Sequence, residues 1–250
     1  MQKHTQIAFN DWYQTPLGQL LADAEFKQLN QLLPDLFGYH LLQIGVHGSA
    51  VLCQASRISH QMHLKTEPQL SAGIYAHASR LPLASESIDV CVLSHSLEFD
   101  EDPHAILREI DRVLIPEGHV VLLGFNKMSC WGVNRFFRGW RKQLPWLGKF
   151  YSRARVKDWL SVLGYDCVHT GGVFYRPPVQ HEKLMQKLEF MERYMPAWMS
   201  FLAGIYVIVA RKRTSTLTPI GPRWRTAGKK IINGGLVEPS TRGIHSDRTG

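Results

Sequence analysis

The sequence predicts an α/β protein with a doubly wound, Rossmann-like sheet of mostly parallel strands and helices on both faces. Two continuous apolar runs of strand length, residues 88–93 and 119–125, are separated by one segment with helical spacing. That segment begins at Asp102 and Pro103, a capping residue followed by proline at the first helical position. Buried strands joined through one helix form a right-handed crossover, which makes the two strands parallel.

The N-terminal side of this unit predicts a helix followed by shorter strands. Leucines at helical spacing between Leu17 and Leu33 predict a helix that ends before Pro34. A short apolar run, residues 40–44, predicts a buried strand that turns at Gly45. The next elements are expected at residues 49–56 for a helix, and at residues 62–64 and 73–75 for two weak strands.

The C-terminal side predicts further elements and then a basic tail. Helices are expected at residues 155–163 and 182–194, and strands at 165–169 and 203–210. Residues 211–250 hold nine basic and two acidic side chains, whereas the rest of the chain holds 20 and 19, so this end supplies most of the net charge of +8. We expect one folded domain, residues 1–212, and a basic, disordered tail, residues 213–250.

Composition and cysteine spacing narrow the class of protein. No apolar run reaches the roughly 18–20 residues that a membrane-spanning helix needs, and the N-terminus lacks the apolar region of a secretory signal. The cysteines are far apart and form no CxxC pair; they are Cys53, Cys91, Cys130 and Cys167. We therefore expect a cytoplasmic protein with reduced thiols and no metal site.

The central stretch, residues 77–125, contains an ordered series of motifs. They are His77-Ala78, Leu81-Pro82, Ile88-Asp89, Leu97-Glu98-Phe99, Asp102-Pro103 and the turn sequence RVLIPEG at residues 112–118. In this order they resemble the core of class I S-adenosylmethionine-dependent methyltransferases, in particular the type 11-like group with small-molecule substrates. Weaker similarity runs from Trp12 to about Lys212 and implies an antiparallel last strand.

The resemblance implies that S-adenosylmethionine is the cofactor and that it binds beyond the carboxyl ends of the strands. Gly45 keeps the glycine that lets the chain turn tightly below the cofactor, and Gly45→Arg is expected to abolish binding without unfolding the protein. Gln43 stands where the family has an acid. His47 replaces a glycine, so its side chain would lie against the cofactor and crowd it; the alternatives are a cofactor contact and a surface histidine. Glu67 falls where the family carries an acid for the ribose hydroxyls.

Residues after two further strands complete the implied cofactor site. His77 stands at the adenine-facing position, where the family usually has an acid, and the backbone N–H of Ala78 would supply a second hydrogen bond. Ser94 and His95 follow the fourth strand, where the family contacts the methionine part of the cofactor or the acceptor. His95 is the candidate general base, because imidazole titrates near neutral pH; the alternative is a histidine that only packs.

Residues 127–157, between the fifth strand and the next helix, interleave basic and aromatic side chains. Nine are basic, and no acid occurs from residue 118 through residue 157. This mixture favours an anionic acceptor, an RNA element or a membrane surface, or else a helix that packs its aromatics on the sheet and solvates its arginines. We expect residues 127–202 to contain substrate-side insertions.

Two functions stay open at this point. The first is methyl transfer from S-adenosylmethionine, by in-line displacement, to a small-molecule or anionic acceptor that the sequence does not name. The alternative is a methyltransferase-like domain that has lost activity and binds RNA or an anionic surface, which the departures at Gln43, His47 and His77 favour. The basic segment and tail would in either case allow weak contact with nucleic acid. A nicotinamide-dependent dehydrogenase is disfavoured, because its glycine fingerprint is missing.

Overall fold

The computed structural model describes residues 9, 11–45, 50–65, 74–138, 145–178 and 200–213. Its strands, in chain order, are β1 (His40–Gly45), β2 (His60–Lys65), β3 (Ile74–Tyr75), β4 (Ile88–Ser94), β5 (Leu114–Phe125), β6 (Tyr165–Val173) and β7 (Ile205–Lys212). The strands that the sequence predicted all lie within or overlap these bounds. The apolar runs form strands because a sheet covered on both faces buries both sides of each strand.

The seven strands form one sheet in the order β3-β2-β1-β4-β5-β7-β6. Strands β1 to β5 run parallel to one another. Strand β7 is antiparallel to both of its neighbours, β5 and β6. The predicted doubly wound sheet with an antiparallel last strand is confirmed, and the order of strands reverses at β1 and β4.

Helices cover both faces of this sheet. Their bounds are α1 (Pro16–Leu32), α2 (Pro103–Val113), α3 (Cys130–Arg138) and α4 (Arg153–Val162). Side chains of β4 alternate between the two faces: Val90 and Val92 join the core cluster that contains the leucines of α1, whereas Cys91 and Leu93 join the cluster of α2 and α4. The cap of α2 is as predicted, because Asp102 accepts a hydrogen bond of 3.0 Å from the backbone N–H of Ala105.

Two expected elements differ in the structure. The helix expected at residues 49–56 is only a 3₁₀ turn, Ala50–Cys53, because the carbonyl of Cys53 accepts from the N–H of Ser56 and from the side chain of Gln61 and the chain reverses there. Residues 116–118, expected as a turn, lie inside β5, where Glu117 takes a left-handed φ of +63°. The helix expected at residues 182–194 and the tail beyond Arg213 lie outside the described residues.

Candidate active site

The carboxyl ends of β1 and β4 lie side by side, with Gly45 in register with Ser94. Gly45 has φ +148°, and a β-carbon at this position would lie 2.0 Å from the carbonyl oxygen of Ser94. No side chain fits there unless the backbone of β4 moves, so the sheet itself requires glycine. The expectation that Gly45→Arg leaves the fold intact is therefore wrong, and this position does not report on cofactor binding alone.

Gln43, which replaces the acid of the first motif, is a buried core residue of β1. Its side chain is only 2% exposed, and its Oε1 accepts a hydrogen bond of 3.3 Å from the thiol of Cys53 in the 3₁₀ turn. Burial raises the pKa of Cys53 to about 12, so the thiol keeps its proton and remains a donor. A neutral amide suits this buried contact better than a carboxylate would, because nothing in the contact balances a charge.

A pocket of about 700 Å³ opens between the segment after β3 and the loop after β4. This volume is in the range of small-molecule sites, roughly 300–1,000 Å³. His77 forms part of its wall, and the His77 ring lies 2.7 Å from Ser79 Oγ through Nδ1 and 3.4 Å from Asp100 Oδ2 through Nε2. Among the residues that the structure describes, the lining comprises His77, Ser79, Glu98, Phe99, Asp100, Glu101, Asp102, Ala105, Leu147 and Lys149.

The loop after β4 gives this pocket an acidic wall. Asp100 is nearly buried, and its Oδ1 accepts from the backbone N–H of Asp102 at 3.1 Å, which holds the carboxylate in place. Carboxylates accept hydrogen bonds from hydroxyl and ammonium groups, and the pocket lining also includes the aliphatic side chain of Leu147 and the cation of Lys149. The pocket therefore suits a ligand that carries hydroxyl or ammonium groups together with an apolar part.

The remaining sequence-predicted cofactor residues have different positions. Ser94 is fully buried, and its Oγ has no hydrogen-bond partner among the described residues. Ala78 is half-buried and packs against the core on the α2 side of the sheet. The structure thus places His77 in the pocket wall and Gly45 and Ser94 together at the neighbouring strand ends. His47 and Glu67 lie outside the described residues.

His95, the candidate general base, points into the core. Its side chain is fully buried, its backbone has φ +49°, and its ring packs 4.3 Å from the ring of Phe125, centroid to centroid. Nε2 lies 2.7 Å from Oε1 of Glu25, and Nδ1 lies 3.4 Å from Oε1 of Glu98. One imidazole is therefore held between two buried carboxylates, which arrive from α1 and from the loop after β4.

These contacts set the charge of His95. Burial by itself would lower the pKa of His95, but the charge and hydrogen bond of Glu25, and then those of Glu98, raise it from 6.5 to about 9. The ring is consequently a cation at neutral pH, without the lone pair that a general base needs. In this arrangement His95 joins α1 to the end of β4, and its role as a base stays a prediction that the geometry does not favour.

The same cluster includes residues that the sequence analysis missed. The Tyr13 hydroxyl donates to Glu25 at 3.3 Å, and Glu98 Oε1 accepts from the backbone N–H of Phe125 at 2.7 Å. Glu25 did have a signal in the sequence, because it lies four residues from Leu21 and four from Leu29, on the buried face of α1. A carboxylate on the buried face of an amphipathic helix indicates that a buried polar or charged group pairs with it.

The aromatic residues of segment 127–157 divide between core and surface. Trp131, Trp146 and Phe150 are buried, as expected for aromatics that pack on the sheet. Phe136 and Phe137 are instead 80% and 73% exposed, on the outer side of α3. The segment also contributes Leu147 and Lys149 to the pocket wall, and its role as a substrate-side insertion stays a prediction.

Two features are absent from the part of the chain that the structure describes: a cluster of metal ligands and a membrane-spanning helix. No group of three or more histidine, cysteine, aspartate or glutamate side chains there is arranged to hold a metal ion. None of the helices in the described ranges combines the length and the apolar character that crossing a bilayer requires.

Comparison with known proteins agrees with this architecture. A family profile described as "Methyltransferase domain" matches residues 42–122. The protein YafS of Escherichia coli (strain K12), itself uncharacterised, is 35% identical over 228 residues, which cover 91% of this chain and 90% of YafS.

Solved structures share the fold at lower identity. A S-adenosylmethionine-dependent methyltransferase from Thermotoga maritima superposes with a TM-score of 0.58 at 16% identity, over 76% of this chain and 90% of that one. A second, from Archaeoglobus fulgidus, superposes with a TM-score of 0.54 at 18% identity, over 75% and 92%. The strand order, the family profile over residues 42–122 and the identity to E. coli YafS agree: the chain belongs to the class I S-adenosylmethionine-dependent methyltransferases, in the same family as YafS.

Proposed function

We propose that the protein transfers a methyl group from S-adenosylmethionine to a small-molecule acceptor by in-line displacement, in the pocket beside His77. The observation that carries this proposal is the position of the pocket, beyond the carboxyl ends of the strands. In doubly wound sheets ligands bind at that edge, near the point where the strand order reverses.

The residues around the pocket fit the chemistry of the cofactor. The pocket has the volume of a small-molecule site, and Asp100 and His77 offer groups that would bind hydroxyls and a purine ring. At the adjoining strand ends lie the Ser94 hydroxyl, which has no hydrogen-bond partner in the described part of the chain, and the closely approaching backbone of Gly45. In this proposal His77 and the N–H of Ala78 would hold the adenine, while the roles of His47 and Glu67 stay predictions.

S-adenosylmethionine, when bound, supplies a methyl group on a sulfonium that an electron pair of the acceptor can attack from behind. Orientation of two reactants can contribute on the order of 7–11 kcal/mol to such a reaction, so a protein base is not required. The buried Glu25–His95–Glu98 cluster would act by positioning, since it fixes α1 against the loop that forms the pocket wall. Lys149 would favour an acceptor with an anionic group.

Isothermal titration with S-adenosylmethionine and with S-adenosylhomocysteine tests this proposal. We expect micromolar binding of both and about tenfold weaker binding by His77→Ala, the loss of roughly one hydrogen bond. His40→Ala is the matched control, because His40 begins β1 at the opposite edge of the sheet. Absence of binding at millimolar ligand by folded protein would contradict the proposal and favour the inactive binding module.

A further inference from the structure

Helix α3 presents an apolar surface to solvent. The outer face consists of Val133, Phe136 and Phe137, with Met128 just before the helix; these side chains are 57%, 80%, 73% and 62% exposed. Phe136 and Phe137 pack edge to face, with ring centroids 5.6 Å apart. These four side chains are named here the α3 patch; Val133, Phe136 and Phe137 lie on one side of the helix, and Met128 precedes it in the chain.

The orientation of this helix is fixed from its opposite side. Trp131 is only 1% exposed, and its Nε1 donates a hydrogen bond of 2.9 Å to the carbonyl of Arg176. Its ring stacks on Phe125 of β5, with centroids 5.6 Å apart. Because Trp131 anchors the inner side in the core, the α3 patch is held outward by the packing of the helix. Large apolar clusters exposed at a protein surface commonly mark sites that bind another protein, a ligand or a membrane.

Charge around the α3 patch indicates the partner. Residues 118–157 include nine basic side chains and no acidic one. Within the described part, Lys127 and Lys149 are exposed on either side of α3 in the chain. An apolar helix face in a chain segment rich in cations complements the surface of a bilayer with acidic headgroups, where anionic groups overlie an apolar interior.

We propose that the α3 patch docks the protein on anionic lipid membranes as an interfacial amphipathic helix. An RNA surface fits less well, because single-stranded RNA is bound by aromatic rings that stack bases along a basic groove. Here the two rings pack against each other on the outer side of α3, and the exposed aliphatic side chains of Val133 and Met128 belong to the same patch. Transfer of such aliphatic side chains from water into the acyl region of a bilayer lowers the free energy, whereas they have no ring on which an RNA base could stack.

The proposed docking surface is connected to the pocket wall. Arg135 of α3 donates a hydrogen bond to the carbonyl of Gly148, and its guanidinium lies 5.5 Å from the ring centroid of Phe150. Leu147 and Lys149, on either side of that carbonyl, line the pocket. Docking would therefore bring the pocket wall close to the lipid surface. The inference does not rest on methyl transfer, because membrane binding needs no cofactor.

Vesicle co-sedimentation of the full chain tests the proposal. We expect binding to phosphatidylcholine vesicles that contain phosphatidylglycerol, weaker binding to phosphatidylcholine alone, and a decrease with added salt. The double variant Phe136→Ala/Phe137→Ala should bind at least about tenfold more weakly, since two large apolar side chains no longer enter the lipid. Tyr39→Ala is the matched control, because Tyr39 is an 82% exposed aromatic elsewhere on the chain and should not matter.

Further measurements decide between docking on lipid and the other occupants of the α3 patch. Lys127→Glu should weaken binding to the anionic vesicles while the thermal midpoint stays unchanged. Equal vesicle binding by the wild type and the double variant would overturn the proposal. So would a dimer, seen by light scattering, that the double variant abolishes, or RNA binding that depends on the two phenylalanines. A thermal midpoint several degrees lower in the double variant would show that the chain itself covers the α3 patch, which also overturns it.

Discussion

Neutralising Glu25 measures how strongly the buried cluster holds α1 on the sheet. In Glu25→Gln the side chain keeps its shape, but the imidazolium of His95 loses the nearer of its two carboxylates, 2.7 Å away. Removing one member of a buried ion pair typically costs about 3–5 kcal/mol. The rise in the pKa of His95 from 6.5 to about 9 corresponds to about 3 kcal/mol, which is of the same order. We expect Glu25→Gln to lower the free energy of unfolding by about 2–3 kcal/mol at pH 6.

The free energy of unfolding should depend on pH through His95, and the direction follows from its raised pKa. Because the pKa of His95 is raised in the folded state, its stabilisation is complete below pH 6.5 and is lost as the pH rises through about 9. The free energy of unfolding of the wild type should therefore fall by about 3 kcal/mol from this group between pH 6 and pH 9. Glu25→Gln should be less stable at pH 6 and should show a flatter profile across the same range.

Urea unfolding at several pH values, with a two-state fit, provides the assay. Asp23→Asn is the control, because Asp23 is an exposed carboxylate on the same helix and its loss should change stability by less than about 0.5 kcal/mol. The reasoning is refuted if Glu25→Gln costs less than about 1 kcal/mol at pH 6, or if its pH profile is parallel to that of the wild type.

Two further substitutions test the strand ends next to the candidate site. Gly45→Ala should lower the free energy of unfolding by more than about 3 kcal/mol, because its β-carbon would meet the Ser94 carbonyl oxygen. Gly164→Ala is the control: Gly164 also has a positive φ but lies in open space, so the substitution should cost only about 1–2 kcal/mol. Equal costs of the two substitutions in thermal unfolding would contradict this prediction. Gln43→Glu restores the acid of the family motif and buries a carboxylate beside the Cys53 thiol, so it should destabilise the protein by about 2 kcal/mol at pH 8. An unchanged thermal midpoint would show that the buried position accepts the charge.

Much of the fold could be predicted because burial leaves a local pattern in the sequence. The run at β4, the cap formed by Asp102 and the run at β5 each show their element within a few residues. The helix expected at residues 49–56 was wrong for a partly non-local reason, because the Cys53 carbonyl accepts from the side chain of Gln61 in β2 as well as from the nearby N–H of Ser56. The contact with Gln61 depends on where β2 lies, which no local pattern records.

The candidate site was predicted less completely. The central motifs placed His77 and Ser94 at strand ends, but the direction of each side chain was not encoded in the motif. The left-handed backbone at His95 turns its imidazole into the core, where Glu25 lies 70 residues away in the chain and 2.7 Å away in space. Sequence spacing therefore drew attention to His95, but its contacts with Glu25 and Glu98 could be seen only in the structure.

The sequence by itself determined the order of strands and helices, the parallel crossover at β4 and β5, and the family. Periodicity and capping depend on neighbours within a few residues, and they are legible without coordinates. Only the tertiary structure decided that Glu25 and His95 form a buried ion pair, and that Trp131 faces the core while Phe136 faces solvent. Those outcomes depend on register, helix phase and the packing of elements far apart in the chain, because charge and burial act through space and not along the sequence.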